Sequence, residues 1–535
     1  LARVELIAQH DTSRIDGQVE WVFPQNVIFE TAYSSLIERD RIALHRTASE
    51  WLLIAGEEDI GTIARHAEAG QDMARAAVLY NRASGQAYGN GQLEAALDFA
   101  DAAIRCGTDA TTQAQALFQR AQILSWLGRY EDQLEAAEKA ISFAEQGTES
   151  WGEAHRLAAS AMRELGRPSD AEARFAWALD NPFLDRLSLA AQAKLHAERT
   201  RALADMGRAK EGARSAERAI RLAHAAGESG THAMLRALDA RFMATAFLGD
   251  FSASIEAAIS VVDNADRVGD AVLATRARIN LGFVLTRVGV FEQAREQLER
   301  ALTDTRLLRM RAGEGFALHN LGMCFARLDK IDRGIQLEKE AREIGEETLH
   351  FRLKLNSRIY EAVMLTWRGE PGDLRDALMT IEACRAEAND HPVSYVEATS
   401  VLAQVHRARR DLSACLIACE DALEKLATIG AMEEGEEMLW LTYSETLLDL
   451  GQGEKAQSAI HHAYRCVMDR CGQMSDQHHQ QAYLSRLYEC RRIVDLAEMY
   501  LGYPRPQIEQ ESQEPAVPRH SVRPKSIVRT SDPPR

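Results

Sequence analysis

Proline is scarce along most of the sequence and crowded at one end. Seven of the 12 prolines fall between Pro504 and Pro534, leaving only Pro24, Pro168, Pro182, Pro371 and Pro392 before Leu501. Glycine is also sparse, at 33 of 535 residues, and aromatic residues make up 6 %. These shortages exclude collagen-like and low-complexity classes and argue against one large aromatic core. The eight cysteines are too few and too scattered for a disulfide scaffold, and most fall inside helical patterns as small reduced core residues would. No stretch reaches the roughly 18 apolar residues that a membrane span needs, and the first residues lack the apolar centre of a signal peptide. A cytoplasmic location is therefore the expectation. Basic residues are outnumbered 80 to 63, giving a formal net charge of −17, which speaks against nucleic acid as a partner of the body.

Catalytic motifs are missing as well. The sequence has no G-x-x-x-x-G-K-[ST] phosphate loop, no kinase glycine loop, no His-Arg-Asp or Asp-Phe-Gly, no G-x-S-x-G and no H-E-x-x-H. Gly313-Glu314-Gly315 comes nearest to a glycine loop and reads as a hairpin connection before a helix. The reading is of a non-enzyme that needs no cofactor. Cys466, Cys471, His461, His462, His478 and His479 are the one group with metal-ligand chemistry, but their spacing lacks the tight pairs of structural zinc sites, so no metal site is expected. Cys415 and Cys419, one helical turn apart, read as packing residues because a regular helix suits a disulfide poorly.

What the chain has in abundance is alanine, its commonest residue, and repetition. Asn280-Leu281-Gly282, Leu285, Gly289, Phe291, Ala294, Leu298 and Ala301 recur one unit further along as Asn320-Leu321-Gly322, Leu328, Ile331 and Ala341. A turn of leucine-like residue, glycine and polar or aromatic residue returns at Gly91, Gly128, Gly166, Gly207, Gly249, Gly289, Asp329, Gly369, Arg410 and Gly451, with a period of about 40 residues. Each unit predicts two antiparallel helices, with glycine at the turn and a small alanine shortly after it to let the second helix approach. A single hairpin cannot bury its own apolar face, so about ten must stack into an all-α superhelical solenoid with an open concave side. These residues resemble the tetratricopeptide repeat, although the period is near 40 rather than 34 and the closing proline is missing, which implies lengthened helices and leaves the repeat subtype open.

Residues 1–55 read differently. Val19-Glu20-Trp21-Val22-Phe23 is strand-like, and Pro24 opens a helix carrying Val27, Ile28, Ala32, Tyr33, Leu36 and Ile37. Phe23, Ala32-Tyr33, Leu36, Arg41, Leu44-His45-Arg46, Ala48 and Trp51-Leu52, then Ala64-Arg65-His66, Glu68, Gly70 and Ala74 to Tyr80, are similar to one particular junction. There the nucleotide-binding region of large bacterial STAND-type ATPases, often fused to a serine/threonine kinase or a nucleotide cyclase, passes into a tetratricopeptide array. The resemblance implies that 1–55 closes a winged-helix-like segment, that 56–500 is the solenoid, and that the chain is a signal-transduction arm. The opening Leu1 in place of Met suggests a fragment or processed product. Residues 501–535, rich in proline and basic, predict a disordered tail or a docking peptide for an acidic surface.

In the resembling fold, positions set back from the turn glycine on the first helix of each pair line the concave side. That register picks out Trp126, Lys194, Arg201, Arg236, Phe247, Arg276, Phe283, Arg287, Phe316, His319, Arg327, Trp367 and Arg407. A basic and aromatic stripe in an acidic protein suits a protein or peptide partner with acidic and apolar groups. An autoinhibitory arm acting on its own ATPase or kinase, and a free-standing adaptor, are the alternatives. Glu433, Glu434, Glu436 and Glu437 read as the solvated start of a helix.

Overall fold

The computed structural model describes residues 6–506 apart from 11, 14 and 16. Most of the expected basic tail, residues 507–535, therefore lies outside the described residues. Two short strands, Ala8–Gln9 and Trp21–Val22, pair antiparallel, and a helix follows over Asn26–Ser34, two residues after Pro24. From Glu38 to Leu501 the described residues are helices joined by short connections, most of them paired as hairpins.

Ten hairpins run without interruption from the helix Met73–Gly89 to the helix Gly453–Gln473, as the turn spacing predicts, so the chain is a tetratricopeptide-like solenoid. The period has a simple cause. From Gly249 to Gly369 a left-handed residue occurs every 20 positions: Gly249, Gly269, Gly289, Arg309, Asp329, Leu349 and Gly369. Each follows a helix of nearly constant length, as in Ala271–Arg287, Phe291–Leu307 and Arg311–Arg327. At every one but Gly369 the next amide reaches back to close the helix, as Asp250 N–H does to the Thr245 carbonyl at 3.0 Å and His350 N–H to Gly345 at 3.0 Å, whereas Glu370 N–H turns forward to Asp373 at 2.9 Å. Over this stretch the turns within and between hairpins are thus nearly the same motif, and each repeat is two nearly equivalent halves. Gly313 and Gly315, read as a hairpin connection, instead sit in the first turns of the helix Arg311–Arg327, where Gly315 lets Leu353 pack close to the backbone.

Before the ten hairpins, the helix Glu38–Ala55 already stacks on Ile60–Ala69: Ser49 donates to the Ile63 carbonyl and His45 meets His66 at 2.9 Å. After them, Gln477–Arg486 and Tyr488–Leu501 fold back onto the last hairpin. Alanine dominates the buried positions from Ala64 to Ala497, so helices approach closely and the core is a chain of thin interfaces.

The superhelix does not stay open. It returns on itself, so that the turns of early hairpins rest on late helices. Ser475 N–H donates to Ser252 Oγ across 223 positions, and Arg486 forks onto Glu292 at 2.6 and 2.8 Å. The turn glycines make this seam possible: a Cβ on Gly166 or Gly207 would stand 2.7 Å from Phe351 or Ile429, and one on Gly289 2.9 Å from the Ala482 carbonyl. The expected open groove is therefore narrowed, because successive superhelical turns face each other across it. Among the described residues no helix is long and apolar enough to cross a membrane.

Candidate functional site

Inside the closed superhelix lie two adjoining cavities of about 200 and 100 Å³. The larger is lined by Trp126, Arg201, Arg236, Arg276, Phe316 and His319, and the smaller by Arg287, Arg327 and Trp367. Phe283 belongs to both. The register argument thus brings all but three of its candidates to two connected chambers. Those three stand apart. Phe247 is 1 % exposed in the main apolar core and touches only a small separate cleft, while Lys194 and Arg407 lie outside the chambers, paired with Glu153 at 2.6 Å and Asp449 at 2.8 Å.

The basic residues of the stripe are not free charges awaiting a partner. Across four successive hairpins they join one buried network: Lys194 and Arg156 meet Glu153, Arg156, Arg201 and Arg236 meet Glu198, and Arg201 and Arg276 meet Asp239. Asp239, 1 % exposed, also accepts from Asn280 at 2.9 Å. Burial would raise the carboxyl of Glu198, but Arg201, Arg156 and Arg236 hold it down at about 2. Five cations share three carboxylates. The surplus shows at Arg276, which burial, with Arg201 and Arg236 nearby, pulls down to about 10 despite Asp239. Its Nε has no acceptor, and its guanidinium lies 5.5 Å from the centre of the Trp126 ring. This end of the larger chamber is basic and partly aromatic.

His319 is held differently. Its Nδ1 is 2.8 Å from Glu338, and both are buried. Burial raises the Glu338 carboxyl to about 7, with His319 opposing, and Glu338 in turn raises His319 against the effect of its own burial. The two share a proton-binding site packed against the Tyr360 ring.

The smaller chamber has the opposite balance. Arg327 forks onto Glu489 at 2.7 and 2.8 Å and lies over Trp367, and Arg287 is 3.8 Å from Glu437. Glu397 and Glu434 line the same space, and among the described residues neither has a lysine, arginine or histidine within ion-pair distance. Burial, then Glu434 and Glu433, push the Glu397 carboxyl far up. The acidic run is thus not a solvated helix start. Glu433 and Glu437 are 8 % and 5 % exposed and pair with Arg352 and Arg470, and Glu436 also meets Arg470. These glutamates, with Glu198, Asp239 and Glu397, were invisible to a reading that looked for basic and aromatic types, and Tyr360 fell between the register positions it used. A pairing search at one-repeat spacing would have found Arg201 with Asp239, which lie 38 positions apart.

All eight cysteines are free, Cys415 and Cys419 among them. The suspected metal ligands disperse: Cys471 enters the core, His461 meets the Tyr503 hydroxyl, and His478 and His479 begin the helix Gln477–Arg486. His462 and Cys466 instead approach Glu436, with ligand atoms within 4.8 Å of one another.

No family model and no curated protein sequence matches the chain. Among solved structures it is similar to a signal transduction ATPase with numerous domains (STAND) protein with a tetratricopeptide repeat sensor from Pyrococcus horikoshii. That match has 15 % identity and a TM-score of 0.45 over 71 % of this chain and 58 % of that one, so the chain spans less than two thirds of that protein. It is also similar to the Cut9–Hcn1 hetero-tetramer of APC/C, with 13 % identity, TM-score 0.45, and 89 % and 94 % of the two chains covered. A third is a Rap protein complexed with competence and sporulation factor, with 12 % identity, TM-score 0.40, and 73 % and 98 % covered.

Proposed function

We propose that this chain is the non-catalytic interaction and regulatory arm of a signalling ATPase or kinase, and that it holds a segment of a protein or peptide in its interior chambers. The observation that carries the binding reading is the cation surplus around Arg276. Five cations share the buried Glu153, Glu198 and Asp239 beside Trp126, Phe316 and Phe283, so an acidic group next to an apolar anchor would complete the charge balance that the protein leaves unfinished. The arm reading is supported by residues 1–55 at the other end of the array. Val27 is 71 % exposed, Ile54 86 %, and Trp21, Phe29, Leu44 and Trp51 are about half exposed, an apolar face that a preceding winged-helix and ATPase region would cover.

The test is selection of displayed random peptides on the full chain, followed by affinity measurement against the Arg236→Met/Arg276→Met variant. Selected peptides are expected to carry Asp or Glu beside a large apolar residue, and the variant to bind them at least ~10-fold more weakly. Peptides without acidic enrichment, or binding that ignores the substitutions, would overturn the assignment. Autoinhibition is the alternative reading of the arm, and comparing nucleotide turnover of a full-length parent with and without residues 56–535 separates the two.

A further inference from the structure

The smaller chamber has the wrong charge for the ligand just described. Four carboxylates line it, Glu397, Glu434, Glu437 and Glu489, against two guanidiniums, Arg287 and Arg327. Two of the four are claimed by those arginines, which leaves Glu397 and Glu434 unmatched. Around them the wall is apolar or aromatic, with Phe283, Met323 and Trp367. A carboxylate in a largely enclosed space without a counter-charge is costly, and a cation placed beside it relieves that cost. The wall also carries the Ser400 hydroxyl, 2 % exposed and without any hydrogen-bond partner. An unpartnered acceptor beside two unmatched carboxylates and an aromatic wall is the lining that a donor-rich cation needs, whereas a packing cavity would be dry and apolar throughout.

We infer that the smaller chamber binds an organic cation, an alkylammonium or guanidinium group, between Glu397 and Glu434 with its apolar stem along Phe283 and Met323. At about 100 Å³ the space suits one such group and its first methylenes, not a nucleotide or a folded element. Because Phe283, Asn320 and Glu434 belong to both chambers, the two sites are adjacent. The proposal rests on the reading of this channel as a binding site and adds the second charge of the ligand: an acidic group at Arg276 and, beyond Phe283, a basic one. The cation can arrive as a free amine or as a lysine or arginine side chain of a bound segment.

The probes are n-butylammonium chloride for the free amine and N-acetyl-lysine N-methylamide for the side chain, each titrated into the full chain by calorimetry, with n-butanol as the uncharged control. At least one cation is expected to bind, butanol not to, and Glu397→Gln/Glu434→Gln to weaken the cation at least ~30-fold. The same double variant should melt at a higher temperature than the parent without ligand, because it removes two neighbouring carboxylates that lack a counter-charge; residues that merely held the fold together would give a lower melting point. Preference for butylammonium identifies a free amine as the source, and preference for the lysine amide identifies a side chain. Equal binding of butanol and butylammonium, no binding of either cation, or cation binding that survives both glutamine substitutions overturns the proposal. Selected acidic peptides should still bind the double glutamine variant, and butylammonium should still bind Arg236→Met/Arg276→Met, so failure at one chamber is distinguishable from failure at the other.

Discussion

If five cations share three carboxylates around Asp239, then losing an anion must hurt more than losing a cation. Asp239 accepts from Arg201, Arg276 and Asn280 at 1 % exposure. In Asp239→Asn one oxygen becomes an amide donor aimed at guanidinium donors, and five cations are left with Glu153 and Glu198. Breaking a buried pair from one side costs about 3–5 kcal/mol. Arg276→Met removes one cation of the surplus while Arg201 and Asn280 still satisfy Asp239, and a chain of similar length keeps the contact with Trp126. Its cost should stay below about 1.5 kcal/mol. Solenoids can open in segments, so the measurement is native-state hydrogen exchange of the helix Thr231–Phe247, backed by thermal melting. Protection should drop steeply in Asp239→Asn, little in Arg276→Met, and partly return in the double variant. An Arg276→Met effect equal to or larger than that of Asp239→Asn would refute the surplus.

Three further outcomes follow from particular contacts. Gly369→Ala should cost about 1 kcal/mol, since φ is +67° and its Cβ would meet nothing, whereas Gly207→Ala should cost clearly more, because the same strain is joined by Ile429 at 2.7 Å; equal losses in urea titration would deny the seam. The Glu338 carboxyl, about 4.5 unfolded, sits at about 7 when folded, and His319 is also raised. Both groups favour the folded state while protonated, so their stabilisation is present below about pH 4.5 and is lost as pH rises through about 7. Glu338→Gln should flatten that decline in melting temperature, and an unchanged profile would count against the pair. Leu349 holds φ +53° at a position that most of its equivalents along the array give to glycine, so Leu349→Gly should stabilise the fold by about 0.5 kcal/mol and raise the melting temperature, and a loss would show that its side chain packs usefully.

The hairpins were legible because their signals are local. A glycine, a leucine-like residue before it and an alanine after it act within one turn, and they recur at Gly128, Gly166, Gly207, Gly249, Gly289 and Gly451. The half-repeat was hidden where Arg309 and Leu349 occupy the glycine position, since the backbone there pays strain that composition does not reveal. Register also carried most of the stripe to the chambers, because side chains set back from one turn must share a face. It could not say what lies opposite. Glu433 reaches Arg352 across 81 positions and Glu489 reaches Arg327 across 162, and those separations depend on the superhelical pitch rather than on any one repeat. Hence a charge run that looked solvated became the buried counterpart of the arginines, and a stripe that looked like an unfilled surface became half of an ion-pair network.

The seam has one more consequence, for how such a protein can change over time. Solenoids whose units touch only their neighbours can gain or lose a unit and merely become longer or shorter. Here Gly166 must find Phe351, Gly207 must find Ile429 and Glu292 must find Arg486. Duplicating or deleting one whole unit between those partners would slide every later helix by one place along the seam and set turn glycines against the wrong side chains. The number of units between contacts is therefore fixed in the way that teeth fix the mesh of two gears, and variation should be confined to the free ends of the array.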